Sequence, residues 1–132
     1  MANKHFTPSN QPSTVDGYHI ETLAAEYLSR QNLKLFMRNF RSKRGEIDLI
    51  MRDKNAIVFV EVRYRKSSLY GSAIESVDYR KQKKLLLTAE YFLQHHYPYA
   101  YQSCRFDVIG AQPSRISGKL DFDWIKNAIP YS

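Results

Sequence analysis

The chain has 132 residues, the length of one compact domain and too short for two ordinary ones. Hydrophobic residues make up 43% and charged residues 25%, which excludes a disordered chain; no run approaches the ~20 apolar residues that cross a bilayer, and the single cysteine, Cys104, excludes an internal disulfide and a cysteine-built zinc site. Lys and Arg number 20 against 13 acids, for a net charge of +7, an excess that favours a polyanionic partner, with nucleic acid first and anionic lipid second.

Residues 1–16, with two prolines and no periodicity, read as a flexible N-terminal arm ahead of a single domain at 17–132. The arm has no apolar core of a secretory signal, and with one cysteine the reducing cytoplasm is the simplest compartment. A helix is predicted from Gly17 to about 31–32, capped by Asp16, with Ile20, Leu23, Ala24, Tyr27 and Leu28 on one face. Residues 33–40 read as a strand and 41–45 as a basic turn. Two further strands follow at 46–51 and 56–64. The second, AIVFVEVRY, has the continuous β-branched and aromatic content of a strand buried on both faces, and residues 52–55 between the two suit a hairpin. After a loop at 66–75, a long helix is predicted from a Ser76 cap, with Leu85, Leu86, Ala89, Phe92 and Leu93 as its apolar stripe, ending before Pro98. A strand at 104–111, a short edge strand at 120–124 and a C-terminal helical turn complete the chain. The order helix, three strands, helix, strand implies an α/β fold with a mixed sheet flanked by helices.

The apolar positions also set a register for the central hairpin. Facing Met51 with Val58, Leu49 with Val60 and Ile47 with Val62 puts three apolar pairs on one face. The other face then pairs Ile50 with Phe59, Asp48 with Glu61, and Glu46 with Arg63. Two carboxylates directly across a ladder repel unless a positive group separates them. An arginine does this in a salt-bridged ladder, and a hard divalent cation such as Mg²⁺ or Mn²⁺ does it in a metal site; both readings stand on the spacing. Glu21, at the edge of the first helix's stripe, is placed to reach the same patch, whereas Glu26 faces away.

Together the residues resemble a known family. Gly17-x-x-x-Glu21-x-x-Ala24-x-x-Tyr27-Leu28, then Arg44-Gly45-Glu46-Ile47-Asp48-Leu49-Ile50, Val58-Phe59-Val60-Glu61-Val62-Arg63, Lys81-Gln82 ahead of Leu85, Ala89 and Leu93, and Arg105-Phe106-Asp107-Val108 look like the YraN family of bacterial proteins, over about residues 17–124. That family resembles the PD-(D/E)XK nuclease superfamily, with kinship to Holliday-junction resolvases. The resemblance implies a restriction-endonuclease-like fold, Mg²⁺ or Mn²⁺ as cofactor, and a nucleic-acid substrate, DNA favoured over RNA, with dimeric action by analogy. It makes Asp48 the acid of the PD motif and Glu61 that of the (D/E)XK motif, both metal-binding. Glu21 is the helix-borne acid, and Arg63 stands where lysine is usual. Ile47 replaces the proline. Glu46 and Lys81 support the site. A guanidinium grips phosphate well but does not give up its proton, so the arginine leaves the role of base to another group.

Three basic runs surround these acids. Arg38, Arg41, Lys43 and Arg44 precede them, Arg65 and Lys66 follow Arg63, and Arg80, Lys81, Lys83 and Lys84 open the second helix. Arg41, Lys43, Arg44, Arg65, Lys66, Arg80, Lys83 and Lys84 are the expected phosphate contacts. Tyr64, Tyr70 and Tyr79 interleave with them as stacking or packing residues. Adjacent His95 and His96 diverge by ~100° on a helix and do not chelate one ion. Cys104 reads as a small buried hydrophobe, and Asp107 as a structural partner of Arg105. Three functions follow from these features: a metal-dependent endonuclease of branched or unusual DNA, a non-catalytic nucleic-acid-binding module on the same scaffold, or an interaction domain with a purely structural acidic patch.

Overall fold

A computed structural model describes residues 14–66, 71–96 and 103–130. The chain runs through α1 (Thr14–Arg30), β1 (Lys34–Ser42), β2 (Gly45–Asp53), β3 (Ala56–Tyr64), one turn of 3₁₀ helix (Ile74–Ser76), α2 (Tyr79–His96), β4 (Cys104–Pro113) and β5 (Leu120–Ile125). The five strands described form one sheet in the order β1-β2-β3-β4-β5. The pair β3 and β4 is parallel and the others antiparallel. The α/β class and the mixed sheet with flanking helices are therefore as the sequence implies, and the architecture is compatible with a restriction-endonuclease-like sheet.

Two apolar clusters cover the two faces. Ala24, Ala25 and Leu28 of α1 pack on Leu49, Met51, Val58, Val60 and Ile109. Leu85, Ala89, Phe92 and Leu93 of α2 pack on Phe40, Ile47, Ile50, Phe59 and Phe106. β3 contributes to both, which is why its sequence is apolar at consecutive positions. The β2–β3 turn places Lys54 at φ 58° ahead of Asn55. The β1–β2 turn is pressed against α2: a Cβ on Gly45 would stand 3.1 Å from the Thr88 hydroxyl and 3.5 Å from Lys84 Cβ. Phe36 is an extra residue in β1, since the register shifts between Leu35 and Met37.

Several boundaries differ from expectation. α1 begins at Thr14, so Asp16 and Gly17 lie inside it; the rest of the expected arm, residues 1–13, lies outside the described residues. β1 continues to Ser42 because it pairs with β2 as far as Gly45. Asp78, not Ser76, caps α2: its carboxylate accepts the Lys81 N–H at 2.8 Å. Residues after β5 form a turn at Lys126 and Asn127, not a helix. That turn is fixed by Asp107, which accepts the Asn127 N–H. No helix among the described residues is long and apolar enough to cross a membrane.

Candidate functional site

The β2–β3 ladder pairs Met51 with Val58, Ile50 with Phe59 and Leu49 with Val60, and there it stops. The Asp48 carboxylate accepts the backbone N–H of Val62 at 2.8 Å, so a side chain takes the place of the next ladder partner. The expected Asp48–Glu61, Glu46–Arg63 and Ile47–Val62 rungs are therefore not formed. Ile47 also leaves the face of Leu49 and Met51 and joins Phe40 and Ile50 in the α2-side cluster. The strands part at the point where continued pairing would have set two carboxylates opposite each other.

Glu61 lies in the resulting fork, with 4% of its side chain exposed. Arg63 Nη1 donates to Glu61 Oε2 at 3.1 Å, and Lys81 Nζ approaches the same oxygen at 3.6 Å from α2. Glu61 Oε1 is buried with no hydrogen-bond partner among the described residues. Arg63 is also anchored to Ser76, through the hydroxyl at 3.0 Å and the carbonyl at 3.2 Å. Burial raises the Asp48 carboxyl well above its ordinary range, and the charges of Glu61 and Glu21 push it further up, while the Val62 N–H and Lys81 oppose the shift. Three acids from α1, β2 and β3 thus act on one another.

Glu21 reaches this patch through a residue that the sequence did not single out. Asn39 donates to Glu21 Oε1 at 3.0 Å and to Glu46 Oε2 at 3.1 Å. It sits in β1 between the Arg38–Leu49 and Phe40–Ile47 pairs, the position facing Asp48, with φ 52°. Asparagine tolerates this left-handed backbone better than most side chains, so an Asn interrupting a strand pattern beside an acidic motif was the available signal. Ser76, expected as a helix cap, is the second such residue. Arg38 lies 3.5 Å from Glu21 and bonds to Thr22 and the Tyr18 carbonyl, stacked 3.8 Å from the Tyr18 ring centre.

As they stand, no three His, Cys, Asp or Glu side chains among the described residues are grouped to hold an ion. A buried acid, Glu61, with one unpartnered oxygen and the half-buried Asp48 nonetheless fit a hard cation, which would be completed by backbone or substrate oxygen.

The basic residues divide. Lys43, Arg44, Lys66, Arg80, Lys83 and Lys84 are exposed, and Arg65 is half-buried. Arg41 lies 3.5 Å from Glu46. The turn carrying Lys43 and Arg44 abuts Lys84, so the first and third runs form one rim. Tyr79 is exposed beneath Lys83, Tyr64 is half-buried, and Tyr70 lies outside the described residues. His95 stacks on Tyr91 and His96 on Phe92, in different directions. Cys104 packs partly against the core, and burial pushes its thiol up. Asp107 is fully buried, binding Arg105, the Trp124 indole and the Asn127 N–H; Arg105 extends this knot to Asp53.

The uncharacterised protein family UPF0102 has a model that matches residues 20–111. A UPF0102 protein of Pseudomonas putida (strain F1) is 48% identical over 112 residues, 85% of this chain and 90% of that protein. One of P. putida (strain GB-1) is 46% identical over 121 residues, 92% and 97% of the two chains. One of Alcanivorax borkumensis is 44% identical over 112 residues, 85% and 89%. With the family's match running from α1 through β4 and so including every acid of the fork, the chain belongs to the UPF0102 family, the YraN family that its motifs resemble.

Proposed function

We propose that this protein is a divalent-metal-dependent endonuclease of nucleic acid, acting on DNA in preference to RNA, with branched or distorted DNA as its substrate class. Glu61 Oε1 carries the reading: it is a buried carboxylate oxygen without a partner among the described residues, beside the half-buried carboxyl of Asp48, whose ionisation its surroundings oppose. Such a pair is costly to keep charged unless a cation joins it. Asp48 and Glu61 would hold a Mg²⁺ or Mn²⁺ ion. When bound, that ion supplies Lewis-acid charge to the phosphate.

The chain's own residues supply the rest. Arg63, oriented by Glu61 and Ser76, offers its fork to the phosphate. It keeps its proton, so the water must be positioned and deprotonated by other groups. Lys81 brings an amine from α2 into the fork. Glu21 and Glu46, joined through Asn39, stand ready as proton acceptors. The rim of Lys43, Arg44, Lys84 and neighbouring cations holds the flanking phosphates.

A second reading, a nucleic-acid-binding module without cleavage, has its own observation: Arg63 is held at three points by protein groups, as in a structural ion-pair ladder. One experiment separates the two. Duplex, flap, four-way-junction and single-stranded substrates are incubated with Mg²⁺, Mn²⁺ or EDTA. The enzyme reading expects metal-dependent cleavage that disappears in Asp48→Asn and Glu61→Gln. Binding without cleavage on every substrate replaces it with the second reading.

A further inference from the structure

Past Tyr64 the β3 chain continues beside β4, with the Arg65 N–H bonded to the Ala111 carbonyl at 2.9 Å. Alternation therefore places Arg65 on the same side as Glu61 and Arg63, about 6.6 Å beyond Arg63 along the strand. Here that side of the sheet is covered by residues 71–76, so closely that a Cβ on Gly110 would stand 2.6 Å from Ala73 Cβ. Between this segment and β5 lies a cleft of about 320 Å³, lined among others by Arg65, Ser72, Gln112, Asp121 and Asp123. On β5, Phe122 and Trp124 pack into the α1-side cluster, which turns Asp121 and Asp123 to the cleft. Arg65 Nε and Nη1 are buried and have no hydrogen-bond partner among the described residues. Buried guanidinium N–H groups normally have partners, so this wall is built for an acceptor that arrives from outside.

We infer that the cleft is a base pocket, taking one unpaired nucleobase of the strand whose phosphate Arg63 holds. The inference rests on the nucleic-acid reading and names where that substrate's base would go. A phosphate would satisfy Arg65 but would face the carboxylates of Asp121 and Asp123. A nucleobase presents acceptors and N–H donors on different edges of one plane, matching an arginine fork opposite carboxylates. Guanine matches best, offering O6 and N7 to the arginine and its ring and amino N–H groups to a carboxylate. An extruded base read on its edges is the usual means of reaching a base outside the stack, and unpaired nucleotides at junctions and flaps present one at least cost.

The test uses the full chain and nucleosides, which carry no phosphate. Guanosine, cytidine, adenosine and thymidine are titrated while amide NMR signals are followed. Saturable shifts at Gly71, Ser72, Gly110 and Gln112, strongest with guanosine and weakened at least tenfold in both Arg65→Gln and the exposed Asp123→Asn, support the pocket. No shift at these amides with any nucleoside overturns it. So does the opposite sign: inorganic phosphate binding there and tightening in Asp123→Asn identifies an anion site. Single-stranded and junction oligonucleotides are bound in parallel. If they are bound and cut by wild type while Arg65→Gln changes neither them nor guanosine binding, the pocket is wrong and the nuclease reading stands. If guanosine binds as described but no oligonucleotide does, the cleft is a free-nucleoside site, and both its assignment to a nucleic-acid strand and the nuclease reading fail.

Discussion

Asp48 accepts the backbone N–H of Val62 at 2.8 Å, and through this bond one side chain both ends a ladder and opens a site. An acid used in this way is fixed to its neighbouring strand, so its remaining oxygen is aimed rather than mobile. Its charge is then opposed by burial and by Glu61, a cost that the proposed cation would relieve.

The first prediction concerns that cation. Mn²⁺ should raise the melting temperature, by an amount equivalent to about 2.7 kcal/mol when the free ion is 100 times its Kd. Asp48→Asn and Glu61→Gln should lose the response. An unchanged melting temperature in wild type would make the fork an ion-pair ladder.

Asp48 also sets a pH dependence. Its carboxyl is raised well above the ordinary value of 3.8, first by burial and then by Glu61. The native state therefore keeps a proton that the unfolded chain releases. Without metal, stability should fall as pH rises from about 4 through the raised value. Asp48→Asn should remove this slope and be more stable than wild type at pH 8 in EDTA. Urea melts at pH 5 and pH 8 check both; a wild type that gains stability over this range with the Asp48 proton lost contradicts the assignment.

Arg63 and Lys81 have separable roles. Arg63→Ala should abolish cleavage and Arg63→Lys should keep or raise it. Lys81→Ala should lower the rate, because it removes the amine that α2 places 3.6 Å from Glu61. A Lys81→Ala protein that cuts at the wild-type rate would remove the amine from the mechanism.

Binding should weaken as salt rises, with log K falling about 0.9 per phosphate contact on duplex. Changing Arg41, Lys43 and Arg44 together to Ala should flatten the slope by about two contacts rather than three, since Arg41 already has Glu46 at 3.5 Å. Titrations between 50 and 200 mM salt, roughly the range over which such slopes are read, measure this.

Away from the fork, Asp107→Ala should cost about 3–5 kcal/mol in a urea melt, because it removes two of the three carboxylate bonds of Arg105 and leaves the Trp124 indole and the Asn127 N–H unpartnered. Asp53→Ala, which removes one partly exposed bond to Arg105, should cost about 1 kcal/mol.

Much of this was legible in the sequence because apolar periodicity dictates it. The strands and the turn at Lys54 follow from where β-branched residues start and stop, and the Met51–Val58 register follows from keeping one face apolar. The break at Asp48 was not legible. A register rule extends a ladder until something stops it, and here the stop is a side chain bonding to backbone, which no pattern of hydrophobicity encodes. Asn39 escaped for a related reason: its importance lies in a φ angle and in two acids, 18 and 7 residues away, that only folding brings to it. Ser76 looked like a cap because serine before a helix usually is one; Asp78, two residues on, was closer to the first turn. Glu21 could be placed from helix geometry alone, since its position on the stripe already aimed it at the sheet.

The extra residue in β1 has a consequence for how these molecules meet one another. β1 is a rim of the sheet and carries the exposed Leu35 and Phe36, a combination that in a straight strand invites a second chain to add on. The register slip at Phe36 interrupts the regular row of N–H and C=O groups such an addition needs, while Phe36 itself leans on Phe92. Deleting Phe36 would leave Leu35 facing Met51 and Met37 facing Ile50 but regularise the rim, so self-association through strand addition is the expected fate of a chain that lost one phenylalanine.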